Sequence, residues 1–429
     1  MKKRTAVSLS VIALLLAGCS SKKTLPGDRV DILFHEDSDQ REILRDGSNV
    51  EISAAIKNND CVQSGYNASH VYAPVVISSA LKKLWSANFD FESTKDLKVL
   101  SSPIVANEKV FSLDAGGILY AFDKSSGKLL WRQSTTIRGK DGQVGGSLAY
   151  ADGKIITSSS FAEAMAFDAE SGEMLWRIKL SSPCKGDGIT VSNGKAYMLC
   201  DNSTLHVVDV KNGKICWSHS GMNVNTTFVG SAAVAVKDGV AYVAYPSGEI
   251  FALLENGGEL WSATMSKFSF VDAMQSFSHP RANVVACDNL VYVTNVNKQL
   301  IAYDSRSGTM KWKKNFGGFA SPVVSGNSLF VLNEDSEIVC YNKDSGARRW
   351  ISSLSAMGDN ITWNGLILTS EGLAAVSDSG KLVFVSFDDG QIKKTIRLDG
   401  AKSGVSVSPV VADEILYVPT DSGKLVAYK

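Results

Sequence analysis

The sequence predicts an all-β fold, an eight-bladed β-propeller of four-stranded antiparallel blades. Three observations carry this. A motif ending in tryptophan recurs at intervals near 44 residues. Each copy breaks into short alternating runs separated by turn residues. The last copy lacks one strand, which a matching fragment near the N-terminus can supply. Periods of 40–50 residues containing several strands are the mark of propeller blades, which no single repeat can stabilise alone.

The first full motif reads Gly117-Ile-Leu-Tyr-Ala-Phe-Asp123, then Gly127 and Trp131. It recurs as Asp168, Gly172 and Trp176, and as Asp209, Gly213 and Trp217. Further copies end at Gly257 and Trp261, at Gly308 and Trp312, and at Gly346 and Trp350. A seventh copy ends at Gly390, with Lys394 in the tryptophan position. Counting back one period, Leu84-Trp85 is an isolated copy of the closing strand.

Each unit has the same internal order. Ser102–Ala106 predicts a first strand, Lys109–Leu113 a second, Leu119–Phe122 a third and Leu129–Gln133 a fourth. Gly127 stands in the tight turn between the last two, where glycine adopts a positive φ without steric cost. The aspartate ahead of that turn suits side-chain bonding to the backbone, so Asp123, Asp168, Asp209 and Asp304 read as turn formers. Trp85, Trp131, Trp176, Trp217, Trp261, Trp312 and Trp350, spaced evenly round a ring, are expected to pack between neighbouring blades. The final copy has three strands, at Val410-Val411, Leu416–Val418 and Lys424–Tyr428. Pairing Tyr428's strand with Lys83–Phe89 would hide two sheet edges and close the ring. The propeller is therefore expected over residues 82–429 as one domain.

Composition is consistent with a folded body and narrows its partners. Lysine plus arginine and aspartate plus glutamate both number 44 in 429 residues, so there is no basic surplus for nucleic acid. Residues 1–18 read as an export signal: Lys2-Lys3-Arg4, an apolar run from Ala6 to Leu16, then small residues. That run is too short to span the ~30 Å of a bilayer interior. Leu16-Ala17-Gly18-Cys19 resembles the bacterial lipobox, in which the chain is cut before the cysteine and that cysteine is lipidated. Residues 19–81 would then comprise acylated Cys19, a tether and an N-terminal extension. Ser20 to about Gly47 is polar, Val50–Asn58 could be a short helix or strand, and Cys61–Ser79 is expected to pack on the propeller. Sixty flexible residues would reach roughly 40–50 Å.

Six cysteines remain: Cys61, Cys184, Cys200, Cys216, Cys287 and Cys340. An oxidising compartment would permit disulfides, but spacing selects none of the 15 pairings. Buried thiols are the alternative. Cys184, Cys200, His206, Cys216 and His219 crowd the third repeat, yet no Cys-x-x-Cys spacing supports zinc. Cys216 and His219 stand three apart on one expected strand, which sends them to opposite faces. His35, His70 and His279 have no triad partners in sequence, and no nucleophile elbow or phosphate loop occurs. No catalytic residue, metal or cofactor is expected.

The Ala-Phe-Asp-x-x-Ser-Gly-Lys-x-x-Trp element resembles the tryptophan repeat of the quinoprotein (PQQ) propellers. With the lipobox and the eight-blade count, the chain resembles in particular the family of lipoproteins serving the outer-membrane β-barrel assembly (BAM) machinery. The resemblance implies a non-enzymatic scaffold, anchored by Cys19 in the outer membrane and facing the periplasm. Its partners would be the POTRA domains of a BamA-like barrel protein and unfolded outer-membrane protein clients. Family contacts carry over to Thr226, Thr227, Phe228 and Val229 in the loop Asn223–Gly230, and to His279 and Arg281. Family members can carry leucine and arginine in that loop, and acidic residues in the second region, where this chain differs. Two other functions share the fold: a tethered propeller binding a small ligand or another envelope protein at its channel mouth, and a PQQ-dependent dehydrogenase. The dehydrogenases use adjacent cysteines and a calcium site, for which no matching residues are found.

Overall fold

The computed structural model describes residues 49–429, apart from 79, 95–97, 137–145, 185–187, 225–231, 266–279, 281, 359–360 and 402–403. Its described strands form eight four-stranded sheets, each an antiparallel meander. The first blade comprises Ile104–Ala106, Lys109–Leu113, Ile118–Asp123 and Leu129–Ser134. The next six blades begin at Leu148, Ile189, Ala235, Val285, Val323 and Trp363. The eighth combines Val410–Ala412, Ile415–Thr420 and Lys424–Tyr428 with Lys83–Asn88 from the other end of the chain.

Burial follows strand position. In the first blade the inner three strands are almost wholly buried, whereas Leu129–Ser134 alternates between exposed and half-buried positions. The core lies between blades rather than at a single centre. Phe111, Leu113 and Leu119 of the first blade, for example, pack with Leu148, Met165 and Phe167 of the second. Sheet faces that alternate large and small apolar residues interlock in this way only when both neighbours are present.

The ring closes as the split last repeat predicts. Trp85 pairs with Ala427 and Ala87 with Leu425 in an antiparallel ladder. Lys82 and Lys429 exchange backbone hydrogen bonds of 2.8 and 2.9 Å at one end of it. The two edges that an open ring would expose are thereby paired.

Residues 49–78 are bound to the ring, as expected for the part from Cys61 onward, and the binding begins further upstream than expected; the stretch read as a tether, Ser20 to about Gly47, lies outside the described residues. They form neither the short helix nor the strand expected over Val50–Asn58; there Ile56 alone makes an isolated bridge, to Val75. The segment instead runs along the ring as a strap and bonds to all eight blades. Asn327 of the sixth blade donates to the Glu51 carbonyl, and Asp413 of the eighth to that of Asn58. Cys61 exchanges two 2.8 Å bonds with Val105 of the first blade, and Tyr150 of the second donates to Val62. Val191 of the third blade donates to the Gln63 side chain at 2.6 Å. Val236 of the fourth donates to Ala68, Ala286 of the fifth to Ser69, and Val75 donates to Leu368 of the seventh. A sixty-residue free tether is therefore excluded, because everything from Asn49 to Ser78 belongs to the folded body. No helix among the described residues is long and apolar enough to cross a membrane.

Candidate functional site

The seven repeat tryptophans share one geometry. Each indole lies against the turn glycine of the following blade: Trp85 on Gly127, Trp131 on Gly172, Trp176 on Gly213, and so on to Trp350 on Gly390. Each ring nitrogen also donates to a carbonyl of that next blade. Trp85 bonds Lys124, Trp131 Ala169, Trp176 Val210 and Trp217 Glu255. Trp261, Trp312 and Trp350 bond Ser305, Lys343 and Phe387 in the same manner. The recurring residue thus ties blade to blade, and its apolar ring and single donor are both used at the joint.

The turn aspartates serve the same hairpins. Asp123 Oδ1 accepts from the backbone and hydroxyls of Ser125 and Ser126. The hydroxyls of Ser125 and Ser126, with the Ser126 N–H, hold the Asp123 carboxyl down to about 2. Asp168 and Asp304 are lowered likewise by Ser171 and Ser307. Asp209 accepts from Lys211 and Asn212. A carboxylate consumed by its own turn is a structural acceptor.

The third-repeat cysteines and histidines do not converge. Cys184 and Cys200 form a disulfide, a pairing that spacing alone did not select. His206 bonds the hydroxyls of Ser181 and Ser218 at 2.8 and 2.7 Å. His219 bonds Tyr245 Oη at 2.7 Å and packs on Phe251. Burial lowers both imidazoles from their ordinary value. Cys216 is exposed on the outermost strand, while Cys287 and Cys340 are buried. Among the described residues, no three potential ligands form a metal-binding group.

A cavity of about 500 Å³ lies in the channel against the strap. The strap contributes Tyr66, His70 and Tyr72, and the blades contribute Asn283, Trp363 and Ser408 among others. Tyr66 and Tyr72 stack with ring centroids 4.2 Å apart. Their hydroxyls accept from the backbone of Val411 and Leu368, pinning the strap to the eighth and seventh blades. His70 is buried, with φ +60, and its Nδ1 lies 2.5 Å from the Val284 carbonyl. Burial pushes its imidazole down to about 4. The ring is therefore neutral near pH 7, with Nδ1–H donating and Nε2 left as an acceptor. Neither His70 Nε2 nor Trp363 Nε1 has a hydrogen-bond partner, although both are buried.

This lining does not match the dehydrogenase arrangement. Glu334 is the one charged side chain among the described lining residues. The disulfide joins cysteines sixteen residues apart and does not border the cavity.

Cys19, Thr226, Thr227, Phe228, Val229, His279 and Arg281 lie outside the described residues. Sequence reasoning left His70 unassigned and did not single out Tyr66, Tyr72 or Trp363. The available signal was the polar, aromatic run Gln63–Tyr72 standing outside any repeat.

Comparison with known proteins places the chain among outer-membrane assembly propellers. The family described as outer membrane protein assembly factor BamB matches residues 82–140 and 115–352. A protein of that name from Yersinia pestis is 24% identical over 369 residues, covering 81% of this chain and 88% of its own. The one from Escherichia coli K12 is 23% identical, covering 75% and 82%. The crystal structure of BamB from Moraxella catarrhalis superposes with a TM-score of 0.69 at 15% identity, covering 81% of this chain and 99% of that one. A europium-containing methanol dehydrogenase shares the fold with a TM-score of 0.66 at 14% identity, over 84% of this chain and 89% of its own.

Proposed function

This chain belongs to the BamB family of outer membrane protein assembly factors, and from that premise we propose that it is a non-enzymatic scaffold subunit of the BAM complex. The observation that carries this reading is the family match over residues 82–352, most of a ring that closes on itself. A closed propeller offers partners a broad rigid surface while its own edges stay paired.

In this reading the signal over residues 1–18 is removed and acylated Cys19 anchors the protein in the outer membrane, facing the periplasm. Two or more acyl chains give stable anchoring where one gives marginal binding. Thirty residues, 19 to 48, precede the bound strap. The ring would bind the POTRA domains of a BamA-like barrel protein and assist delivery and insertion of unfolded outer-membrane clients. Thr226, Thr227, Phe228 and Val229, with His279 and Arg281, are the proposed contacts. An aromatic residue among polar neighbours is suited to anchoring an interface.

Replacing Phe228 or Val229 with glutamate tests this surface. Capture of the barrel partner is expected to fall at least tenfold for each variant while the ring still melts cooperatively. Unchanged capture by both would remove this loop from the contact.

A further inference from the structure

We propose that the joint between the seventh and eighth blades is a seam at which the ring opens, and that Val75 and Ile77 of the strap, with Leu81 just after it, are the latch that holds it shut. The proposal stands apart from the assembly reading, since it concerns the ring itself.

Seven of the eight joints are made alike. In each, an indole is seated on the turn glycine of the next blade and bonded to one of its carbonyls. The joint from the seventh blade to the eighth has neither half of that arrangement. Lys394 stands in the tryptophan register opposite Phe384, where the other blades set tryptophan opposite alanine, valine or cysteine. The eighth blade in turn has no hairpin between its last two strands to supply a glycine, because Lys424–Tyr428 and Lys83–Asn88 are far apart in sequence.

The strap fills this joint instead. Val75, Ile77 and Leu81 are 1%, 4% and 5% exposed, and they share one core with Val376 and Phe384 of the seventh blade and Val418 and Tyr428 of the eighth. At the joint of the eighth and first blades the strap buries only Cys61 in the core. Backbone bonds span the seam in the same way. Val75 donates to Leu368 and accepts from Ser370 on the seventh blade, both at 2.9 Å, and Ile77 bridges Glu414 of the eighth. Leu81 has a φ of +42, a left-handed backbone that a bulky side chain adopts only at a cost. Strain of this kind persists only while the surrounding packing holds it, so undocking relieves it. Seven joints thus carry their fastening on the blades, whereas this one depends on a segment outside them. Local opening begins where the fewest fixed contacts must break. Ile367 of the seventh blade and Val410 of the eighth also line the channel cavity, so the seam ends at the channel and its opening alters the cavity.

The test reads native-state thiol labelling, cysteine by cysteine, by mass spectrometry of the purified full-length protein. Cys340 is a built-in reporter for an indole joint, since it is 0% exposed and lies opposite Trp350. Val418, also 0% exposed, lies in the seam, so Val418→Cys supplies the counterpart. After correction for each thiol's rate in unfolded protein, the seam thiol is expected to react at least tenfold faster than Cys340. Ile77→Ser weakens the latch, and is expected to speed the seam thiol at least tenfold more while leaving Cys340 within twofold. Val62→Ser, elsewhere on the strap, is expected to leave both within twofold. If Val418→Cys fails to fold, Val376→Cys places the reporter on the other side of the seam. The comparison of two thiols in one molecule needs no latch variant. The proposal is overturned if Cys340 reacts as fast as the seam thiol, if Ile77→Ser speeds both alike or neither, or if Val62→Ser speeds the seam thiol as much as Ile77→Ser does.

Discussion

Gly172 of the second blade lies under the indole of Trp131 from the first: a Cβ built on Gly172 would stand 2.7 Å from ring atom Cδ2. The glycine is needed twice over, for its φ of +73 and for the space. Gly153 separates the two requirements, because its φ is +75 but nothing lies within 4 Å of a built Cβ.

Gly153→Ala should therefore cost only the backbone penalty, about 1–2 kcal/mol. Gly172→Ala adds a clash with a packed ring, worth about 1–3 kcal/mol more. Urea denaturation of both variants checks this, and equal losses would show that the joint is looser than its geometry.

Trp176→Phe should leave the Val210 carbonyl without its donor. The expected loss is about 1–3 kcal/mol, against about 3–5 kcal/mol for Trp176→Ala, which also empties the joint. Thermal melts of the two variants give the comparison. A phenylalanine variant as stable as the parent would mean that the Trp176–Val210 bond of 2.9 Å contributes nothing net.

Acid should weaken the turns in a defined window. The Asp123 carboxyl is held at about 2 in the fold, against roughly 3.9 in an unfolded chain. A depressed carboxyl contributes stability above its unfolded value and loses it as pH falls toward its folded value. Stability should thus decline between about pH 4 and pH 2, and Asp123→Asn should flatten that decline. Asparagine can hold the turn, since Asn342 already accepts from Asp344 and Ser345 in the sixth blade. Melting temperature against pH for both proteins is the measurement; parallel curves would contradict it.

The bond between Cys184 and Cys200 closes a span of 16 residues, for which the chain-entropy estimate is about 3 kcal/mol. Cys184→Ala/Cys200→Ala should lose stability of that order, and maleimide labelling of unreduced, urea-unfolded protein should miss both residues. Labelling of either would show that the bond is absent.

The ring was legible because its determinants are local and repeated. Asp123, Gly127 and Trp131 recur at fixed offsets, so spacing alone locates the blades. Tyr428 at the C-terminus without a fourth strand, and Trp85 without three, specify how the ring shuts. That Cys61–Ser79 packs on the propeller was legible, but the strap's start near Asn49 and its path over all eight blades were not, because its bonds are mostly backbone to backbone and its partners are spread round the ring. Nothing in the identity of Glu51 or Ala68 announces that pairing. A sign does survive at Gly326, where a Cβ would stand 2.0 Å from the Glu51 carbonyl, but it is visible only once the two segments are together. His70 and Trp363 escaped notice for the same reason. Their significance lies in the partners they lack, which no sequence displays. The cysteine pair illustrates a third case, in which residue types were evident and the pairing depended on three-dimensional proximity.

The assembly-factor reading is tested most directly by purifying the full-length protein from outer membranes in mild detergent and identifying every chain that accompanies it. A POTRA-bearing barrel protein recovered at near-stoichiometric yield is the expected result. Recovery of a folded, membrane-anchored propeller with no such partner across several detergents would contradict it.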